Sequence, residues 1–180
     1  MDMRAKKEPV AALYRVTSDG AVDRRFEDIA ISNALAWSPD GATLYFGDTR
    51  GKWVDCAVFD PVTGATDRRQ RFVTYGADAG APDGASCDVE GHYWVTNPQR
   101  DNLDVFMPSG RLLLSVPILN GRPTMPCFGG AGLQTLYVTS LGKDAAPEAL
   151  RNNMLIGTVI SLSLSIRGSQ ASRFADRQAE

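Results

Sequence analysis

Short apolar runs alternate with glycine-containing turns along most of the chain, and one arrangement of the two occurs three times. In each copy a short apolar segment precedes a glycine turn and an aromatic-rich segment, as in residues 35–48, 85–96 and 126–139. The aromatic-rich segments are Leu44-Tyr-Phe46, Tyr93-Trp-Val95 and Leu136-Tyr-Val138. Two apolar segments joined by a tight turn are typical of a β-hairpin. The pattern therefore predicts three antiparallel strand pairs.

A second strand module follows each pair, at residues 54–64, 103–110 and 158–165, and an extra copy leads the chain at residues 12–20. Further strands are expected over residues 65–73 and 111–117. Each unit then has about four strands in about 40–50 residues, the period of propeller blades. We expect one helical turn at most, over residues 147–153. The prediction is an all-β fold, a β-propeller with about three blades and one extra leading strand module.

The number of units raises the question of closure, because a closed propeller has about four to eight blades. Two explanations stay open: the chain is a fragment of a larger propeller, or it closes by pairing with another chain. We expect a polar N-terminal lead over residues 1–11, a partial propeller over residues 12–176 and a tail over residues 177–180.

Composition and charge exclude several classes of protein. Hydrophobic residues make up 43% of the chain and charged residues 22%, as in a globular protein, and the net charge is −2. The chain lacks the basic excess that would indicate a nucleic-acid partner. No apolar run has the length of a membrane span. The N-terminus lacks the apolar region of a secretory signal. We therefore expect a cytoplasmic protein with neither kind of partner.

The cysteines and the single histidine exclude several kinds of site. Cys56, Cys87 and Cys127 are scattered and odd in number, which argues against a disulfide framework and a zinc site. We expect all three to be buried core residues. With His92 as the single histidine, a Ser-His-Asp triad and a histidine-rich metal site are both disfavoured.

When the three units are aligned, Asn33, Asp83 and Thr124 occupy the same position, expected just before the first strand of each unit. In a propeller that strand lines the central channel, so these side chains would converge. Amide and carboxylate oxygens there suit a hard cation such as Ca²⁺. The alternative is that Asn33 and Asp83 are turn residues bonded to their own backbone. Pro39-Asp40-Gly41, with the same letters as Pro82-Asp83-Gly84, looks like an ordinary hairpin turn, and both interpretations stay open.

Several blocks of the chain, agreeing in order and spacing, resemble one known family. The blocks are Ile31–Gly41 followed by Leu44–Asp48; Pro82–Gly84, Asp88–Gly91 and Tyr93–Val95; and Pro123-Thr124, Cys127–Gly130 and Leu136–Ser140. They are similar to the gluconolactonase family, which includes regucalcin (senescence marker protein) and the luciferin-regenerating enzymes. The resemblance runs from about Ala12 to Asp176.

This resemblance implies a six-bladed propeller with a divalent metal ion in its channel, and hydrolysis of sugar lactones or related cyclic esters. Asn33 and Asp83 match two of the family's metal-ligating positions. The implied ion is Ca²⁺ first, with Zn²⁺ or Mn²⁺ as alternatives. The ion would polarise the lactone carbonyl and activate water. Asp83 would also serve as general base, a role proposed within the family.

Two departures from the family limit this expectation. Ala34 stands where the family usually has glycine, which would allow a positive φ or a close backbone approach. The family's glutamate ligand and its substrate-binding arginine and asparagine belong to an N-terminal half that has no counterpart here. The leading hypothesis is a metal-dependent lactone hydrolase represented by its C-terminal half, with activity of this chain alone left open. The alternatives are a non-catalytic calcium-binding protein and a half-propeller that closes as a homodimer.

Overall fold

The computed structural model of the protein describes residues 8–119, 121–143 and 145–172. The predicted N-terminal lead over residues 1–11 lies largely outside these residues, and the predicted tail over residues 177–180 lies wholly outside them. About half of the described residues are in β-strands, which form four antiparallel sheets, none of them closed on itself. The predicted all-β class is therefore confirmed.

The sheets follow one another along the chain, and each is built from consecutive strands. The first sheet contains β1 (Ala11–Val16) and β2 (Val22–Ile29), and the second contains β3 (Ser32–Trp37), β4 (Thr43–Asp48), β5 (Trp53–Phe59) and β6 (Thr66–Thr74). The third contains β7 (Ala85–Cys87), β8 (Tyr93–Asn97), β9 (Asn102–Phe106) and β10 (Leu112–Pro117). The fourth contains β11 (Pro123–Gly129), β12 (Thr135–Ser140) and β13 (Val159–Ser163). Two of the three predicted units thus have four strands, and the third has three in the described part of the chain.

The remaining elements are short. A single turn of 3-10 helix at Ala131–Leu133 lies between β11 and β12, and α1 (Pro147–Asn152) lies between β12 and β13. The second of these is the one helical turn that the sequence predicts. No helix among the described residues is both long and apolar enough to span a bilayer.

The turn between β3 and β4 shows how the local sequence forms the hairpins. Gly41 has a φ of 70°, and its N–H donates to the Ser38 carbonyl at 2.8 Å. The Asp40 carboxylate accepts the N–H of Ala42, two residues on, at 3.0 Å. This is the self-capping that makes Asp a turn residue, so the predicted Pro-Asp-Gly hairpin at residues 39–41 is confirmed.

The aromatic-rich second strands hold neighbouring sheets together. Because successive strand residues point to opposite faces, Tyr45 and Phe46 pack in opposite directions from β4. Phe46 stacks on Phe26 of the first sheet, with ring centroids 4.6 Å apart, and Tyr45 meets Tyr93 of the third sheet at 4.8 Å. From β8, Trp94 then meets Phe128 of the fourth sheet edge-on at 5.6 Å. Such aromatic pairs contribute about 0.5–1.5 kcal/mol each beyond their buried area.

The first strands of successive sheets are neighbours as well. β3 lies against β7, and β7 lies against β11. The three aligned positions therefore lie on or next to neighbouring strands, with Asn33 in β3, Asp83 just before β7 and Thr124 in β11.

The fourth sheet differs from the second and third in having one open face. Every residue of β8 is buried, whereas β12 alternates between buried positions and exposed ones such as Tyr137, which is 40% exposed. Cys127 on β11 is exposed too, while Cys56 and Cys87 are buried. The prediction that all three cysteines are core residues is wrong for Cys127, because no described element covers the outer face of this sheet.

Candidate metal centre

Asn33 lies within β3 rather than before it, which corrects the predicted position. β3 pairs with β4 through Asn33 opposite Gly47 and Ala36 opposite Tyr45, so β3 has one extra residue between these pairs. Such a β-bulge favours glycine at the position that takes the left-handed conformation. Ala34 takes that conformation here, with a φ of 61° and 1% exposure. Of the two reasons for glycine at this position, the positive φ is present here, although the residue is alanine.

Asp83 lies at the end of the loop that leads from β6 to β7. Its backbone N–H donates to the carbonyl of Thr96 on β8 at 2.9 Å. Within the described residues its carboxylate has no hydrogen-bond partner and no cationic neighbour at ion-pair distance. Burial raises the pKa of this carboxyl to about 6. Asp83 is thus a partly desolvated carboxylate that no described group of the protein neutralises.

The two Pro-Asp-Gly segments therefore differ. At Asp40 the Ser38 hydroxyl and the Ala42 N–H hold the pKa of the carboxyl below its usual value. Neither Asp83 nor Asn33 makes a hydrogen bond from its side chain to the backbone two residues on, among the bonds of the described residues. The hydrogen bond expected of a turn residue is therefore present at Asp40, and among the described residues it is missing at both Asn33 and Asp83.

A single hydroxyl connects the two candidate ligands. Thr49, directly after β4, accepts a hydrogen bond from Nδ2 of Asn33 at 2.8 Å. The same Oγ1 donates to the carbonyl of Pro82 at 2.7 Å. Only this hydroxyl separates the amide of Asn33 from the peptide group that joins Pro82 to Asp83.

Thr124, the third aligned position, lies inside β11 and has a different role. Its hydroxyl pairs with that of Thr139 at 2.8 Å, and its carbonyl accepts the N–H of Gly84 at 2.7 Å. A Cβ on Gly84 would lie 2.5 Å from the Thr124 carbonyl oxygen and 2.9 Å from Cα of Met125. Glycine after Asp83 is therefore required by the close approach of the third and fourth sheets.

Two buried polar residues that the sequence analysis did not identify as parts of the site secure these loops. Asp48 ends β4 at 3% exposure and accepts the N–H groups of Ala30 and Ile31, at 2.8 and 3.0 Å, just before Asn33.

The matching residue Asn97 ends β8 at 2% exposure and binds the loop before Asp83. Its Oδ1 accepts the Ala81 N–H at 3.2 Å, and its Nδ2 donates to the Ala79 carbonyl at 2.8 Å. The signal that could have identified both is a polar residue ending each aromatic-rich strand.

The remaining titratable residues lie elsewhere. His92 contacts the buried carboxylate of Asp88 at 2.9 Å in the turn after β7, at the opposite end of that strand from Asp83. Burial raises the pKa of the Cys87 thiol to about 12, which disfavours a nucleophilic thiolate. In the part of the chain that the structure describes, no three His, Cys, Asp or Glu side chains form a metal-binding group.

The oxygen donors of the two candidate ligands fit a hard cation incompletely. An amide oxygen from Asn33 and an uncompensated carboxylate from Asp83 are ligands that Ca²⁺ accepts, but Ca²⁺ takes about 6–8 oxygens. The unpartnered, desolvated carboxylate is the observation that favours an ion here, because a bound cation would supply the missing positive charge.

Comparison with known proteins gives one consistent result. Residues 1–142 match the family described as the SMP-30/Gluconolactonase/LRE-like region. Regucalcin of Danio rerio is 34% identical over 174 residues, covering 93% of this chain and 58% of that protein. The 6-deoxy-6-sulfogluconolactonase of Pseudomonas putida is 31% identical over 164 residues, covering 91% of this chain and 56% of the enzyme.

Among solved structures, a calcium-binding regucalcin from Agrobacterium tumefaciens superposes with a TM-score of 0.83 at 28% identity, covering 98% of this chain and 58% of its own. The chain thus spans little more than half the length of the relatives it matches. On the family match and the identity to regucalcin, the chain belongs to the SMP-30/gluconolactonase/LRE-like family.

Proposed function

We propose that the protein hydrolyses sugar lactones or related cyclic esters with a divalent metal ion held by Asn33 and Asp83. The observation that carries this proposal is the unpartnered, desolvated Asp83 carboxylate, connected through Thr49 to Asn33. The name of one relative, 6-deoxy-6-sulfogluconolactonase, supports the substrate class. The proposed setting is a six-bladed β-propeller to which residues 12–176 contribute about half.

Each residue would have a distinct part in the reaction. The Oδ1 of Asn33 and the carboxylate of Asp83 would bind the ion, which when present would polarise the lactone carbonyl as a Lewis acid. Asp83 would also accept a proton from the attacking water. The water oxygen would then bond to the carbonyl carbon, the ring ester bond would break, and the leaving oxygen would take up the proton that Asp83 accepted, which gives the open hydroxy acid and restores the carboxylate.

The oxygen donors favour Ca²⁺ as the ion, because Ca²⁺ prefers carboxylate and carbonyl oxygens. Zn²⁺ is bound mainly by nitrogen and sulfur ligands, and Mn²⁺ tolerates an oxygen-rich site. The remaining oxygens would come from water, from the substrate or from the part of the relatives' length that this chain does not match.

The test is release of acid from glucono-1,5-lactone in a weakly buffered pH-indicator assay, with Ca²⁺, Zn²⁺ or Mn²⁺ added and spontaneous hydrolysis subtracted. We expect metal-dependent turnover that Asp83→Ala abolishes. Asp40→Ala is the matched control, since it changes the same residue in the other Pro-Asp-Gly segment, and it should retain activity. Turnover by Asp83→Ala equal to that of the parent would reject the proposed site.

A second candidate is calcium binding without hydrolysis, favoured by the similarity to a structure described as a calcium-binding protein. It predicts heat of Ca²⁺ binding in calorimetry that Asp83→Ala removes, in a protein that hydrolyses no lactone under any of the three ions. Turnover that depends on Asp83 would exclude it.

The open face of the fourth sheet suggests a contact with a further part of the protein or with a second copy. Met125, Tyr137 and Val159 are exposed on this face, where the second and third sheets are covered. We propose that either the part of the relatives' length that this chain does not match or a second copy covers it. Sedimentation equilibrium at micromolar concentration separates the two, since a monomeric mass rules out the second copy.

A further inference from the structure

Thr49 occupies a position where the direction of its hydroxyl proton is determined by its neighbours. The hydroxyl is half-buried between the side chain of Asn33 and the carbonyl of Pro82. A threonine hydroxyl has one proton to donate and two lone pairs to accept. A carbonyl oxygen can only accept, so the contact at 2.7 Å to Pro82 requires the proton of Thr49.

It follows that Thr49 can only accept in its second contact. The Asn33 amide must therefore present Nδ2 to Thr49 at 2.8 Å. The oxygen and nitrogen of an amide group are similar in shape, and the surrounding hydrogen bonds decide which way the group faces. With Nδ2 directed at Thr49, Oδ1 occupies the opposite branch of the planar amide and is left free of Thr49.

The same hydroxyl also acts on the other candidate ligand. The peptide group between Pro82 and Asp83 is bound on both sides, its carbonyl by Thr49 of the second sheet and its N–H by Thr96 of the third. The contact therefore places the backbone of Asp83 relative to the amide of Asn33.

We propose that Thr49 is a positioning residue for the metal site: it selects the amide orientation of Asn33 in which Oδ1, and not Nδ2, faces the cation. This inference rests on the proposed role of Asn33 as a ligand. In the opposite orientation the amide N–H dipoles would point at a positive ion, and the site would lose one of its two donors from this chain. Residues that orient metal ligands typically contribute about 10–100-fold to metal affinity.

The test uses the whole chain and titration calorimetry with Ca²⁺, repeated with Mn²⁺. Thr49→Val keeps the shape of the side chain and removes the hydroxyl, and we expect affinity to fall about 10–100-fold. Thr49→Ser keeps the hydroxyl and should stay within about threefold of the parent, as expected if the hydroxyl and not the methyl group carries the effect. Thermal unfolding of each variant identifies any general loss of folding.

A change at the ligand itself separates orientation from general packing. The two carboxylate oxygens of Asn33→Asp are equivalent, so this variant has no amide to orient. In that background, adding Thr49→Val removes only the contact with Pro82, so it should cost clearly less affinity than the same change beside the native Asn33. An equal loss in both backgrounds would show a merely structural role and overturn the proposal.

A readout independent of the metal completes the design. In ¹⁵N-labelled protein without metal, the Asn33 side-chain amide protons should be protected from solvent exchange, and Thr49→Val should remove that protection. Unprotected amide protons in the parent would reject the assigned orientation. If the parent binds neither ion, the metal site fails and the positioning role fails with it. If the parent binds and Thr49→Val binds equally well, only the positioning role is rejected.

Discussion

The corners of the second and third sheets that carry Asn33 and Asp83 occupy one position of the repeat, yet they are built differently. Asn33 is inside a bulged strand, followed by Ala34 in the left-handed conformation, and its amide is bound by Thr49. Asp83 ends a loop and is followed by Gly84, and its carboxylate has no partner among the described residues. The same position of the repeat thus holds a neutral amide oriented by a hydrogen bond at Asn33 and a carboxylate that no described group neutralises at Asp83.

The difference assigns separate contributions to the two corners. In the proposed metal site, the Asn33 corner would supply geometry, because a hydrogen bond to Thr49 already holds its side chain. The Asp83 corner would supply driving force, because a desolvated carboxylate is stabilised when a cation binds beside it. Each of the following changes alters one corner and leaves its counterpart as the reference.

The largest effect is expected for Gly84→Ala. The new Cβ would meet backbone atoms of Thr124 and Met125 at 2.5 and 2.9 Å, and these cannot move without displacing β11. We expect the free energy of unfolding to fall by about 3 kcal/mol, as for severe overpacking. Urea denaturation measures it. An unchanged denaturation midpoint would show that the third and fourth sheets separate easily at this point.

Exchanging the loop-securing residues should have a smaller but clear cost. Asp48 accepts hydrogen bonds from three backbone N–H groups, those of Ala30, Ile31 and Arg50. In Asp48→Asn the side-chain NH₂ group would face at least one of these N–H groups, and neither can accept. We expect a loss of about 2–3 kcal/mol, the cost of an unsatisfied buried polar group. The same experiment on Asn97→Asp should show a loss of stability as well. In the parent, Nδ2 of Asn97 donates to the Asp104 carboxylate at 3.2 Å, and an aspartate has no N–H to donate there. If either variant is as stable as the parent, its loop does not depend on this capping.

The pKa of Asp83 predicts a pH-dependent stability in metal-free protein. Burial raises this pKa from its ordinary value of 3.8 to about 6, so between these values the folded state binds the proton more tightly than the unfolded chain. The contribution of this group to stability is therefore greatest at low pH and falls as pH rises to about 6. After allowance for partial exposure, Asp83→Asn should be more stable than the parent by about 1–2 kcal/mol at pH 7 and equal to it near pH 4.

Asp40→Asn is the matched control for this measurement and should act in the opposite direction. The pKa of Asp40 is lowered by hydrogen bonds from Ser38 and Ala42, so its carboxylate adds stability that is present above its ordinary pKa and lost as the solution becomes acid. Urea denaturation in the presence of a chelator, from pH 2 to pH 8, checks both variants. Identical pH profiles for the two would mean that the Pro-Asp-Gly segments are equivalent after all.

The sequence was sufficient for those features that neighbouring residues determine. The hairpin at Asp40, the alternation of Tyr45 and Phe46 and the alignment of Asn33 with Asp83 all follow from short-range pattern. The contacts that make the corners differ join distant parts of the chain, as Thr49 with Pro82 and Gly84 with Thr124 do. No local pattern determines such contacts.

Two incorrect expectations have the same physical origin. Cys127 was expected in the core from its residue type, but its exposure depends on whether another sheet covers the fourth. Asn33 was expected before the strand, but the bulge at Ala34 extends the pairing past it. Both depend on how a strand meets its neighbours, which hydrophobic pattern alone does not specify.

The smallest effect is expected at Ala34, the counterpart of Gly84 in the first corner. Ala34→Gly relieves the left-handed conformation of a residue with a Cβ, a gain of about 1 kcal/mol. It also removes a methyl group at a position that is 1% exposed, a loss of about 1 kcal/mol. We therefore expect the free energy of unfolding to change by less than about 1 kcal/mol, measured beside Gly84→Ala. Since the Asn33 amide is held by Thr49 and not by Ala34, Ca²⁺ affinity should also stay within about threefold of the parent. A larger change in affinity would show that the bulge, rather than the hydroxyl, orients Asn33.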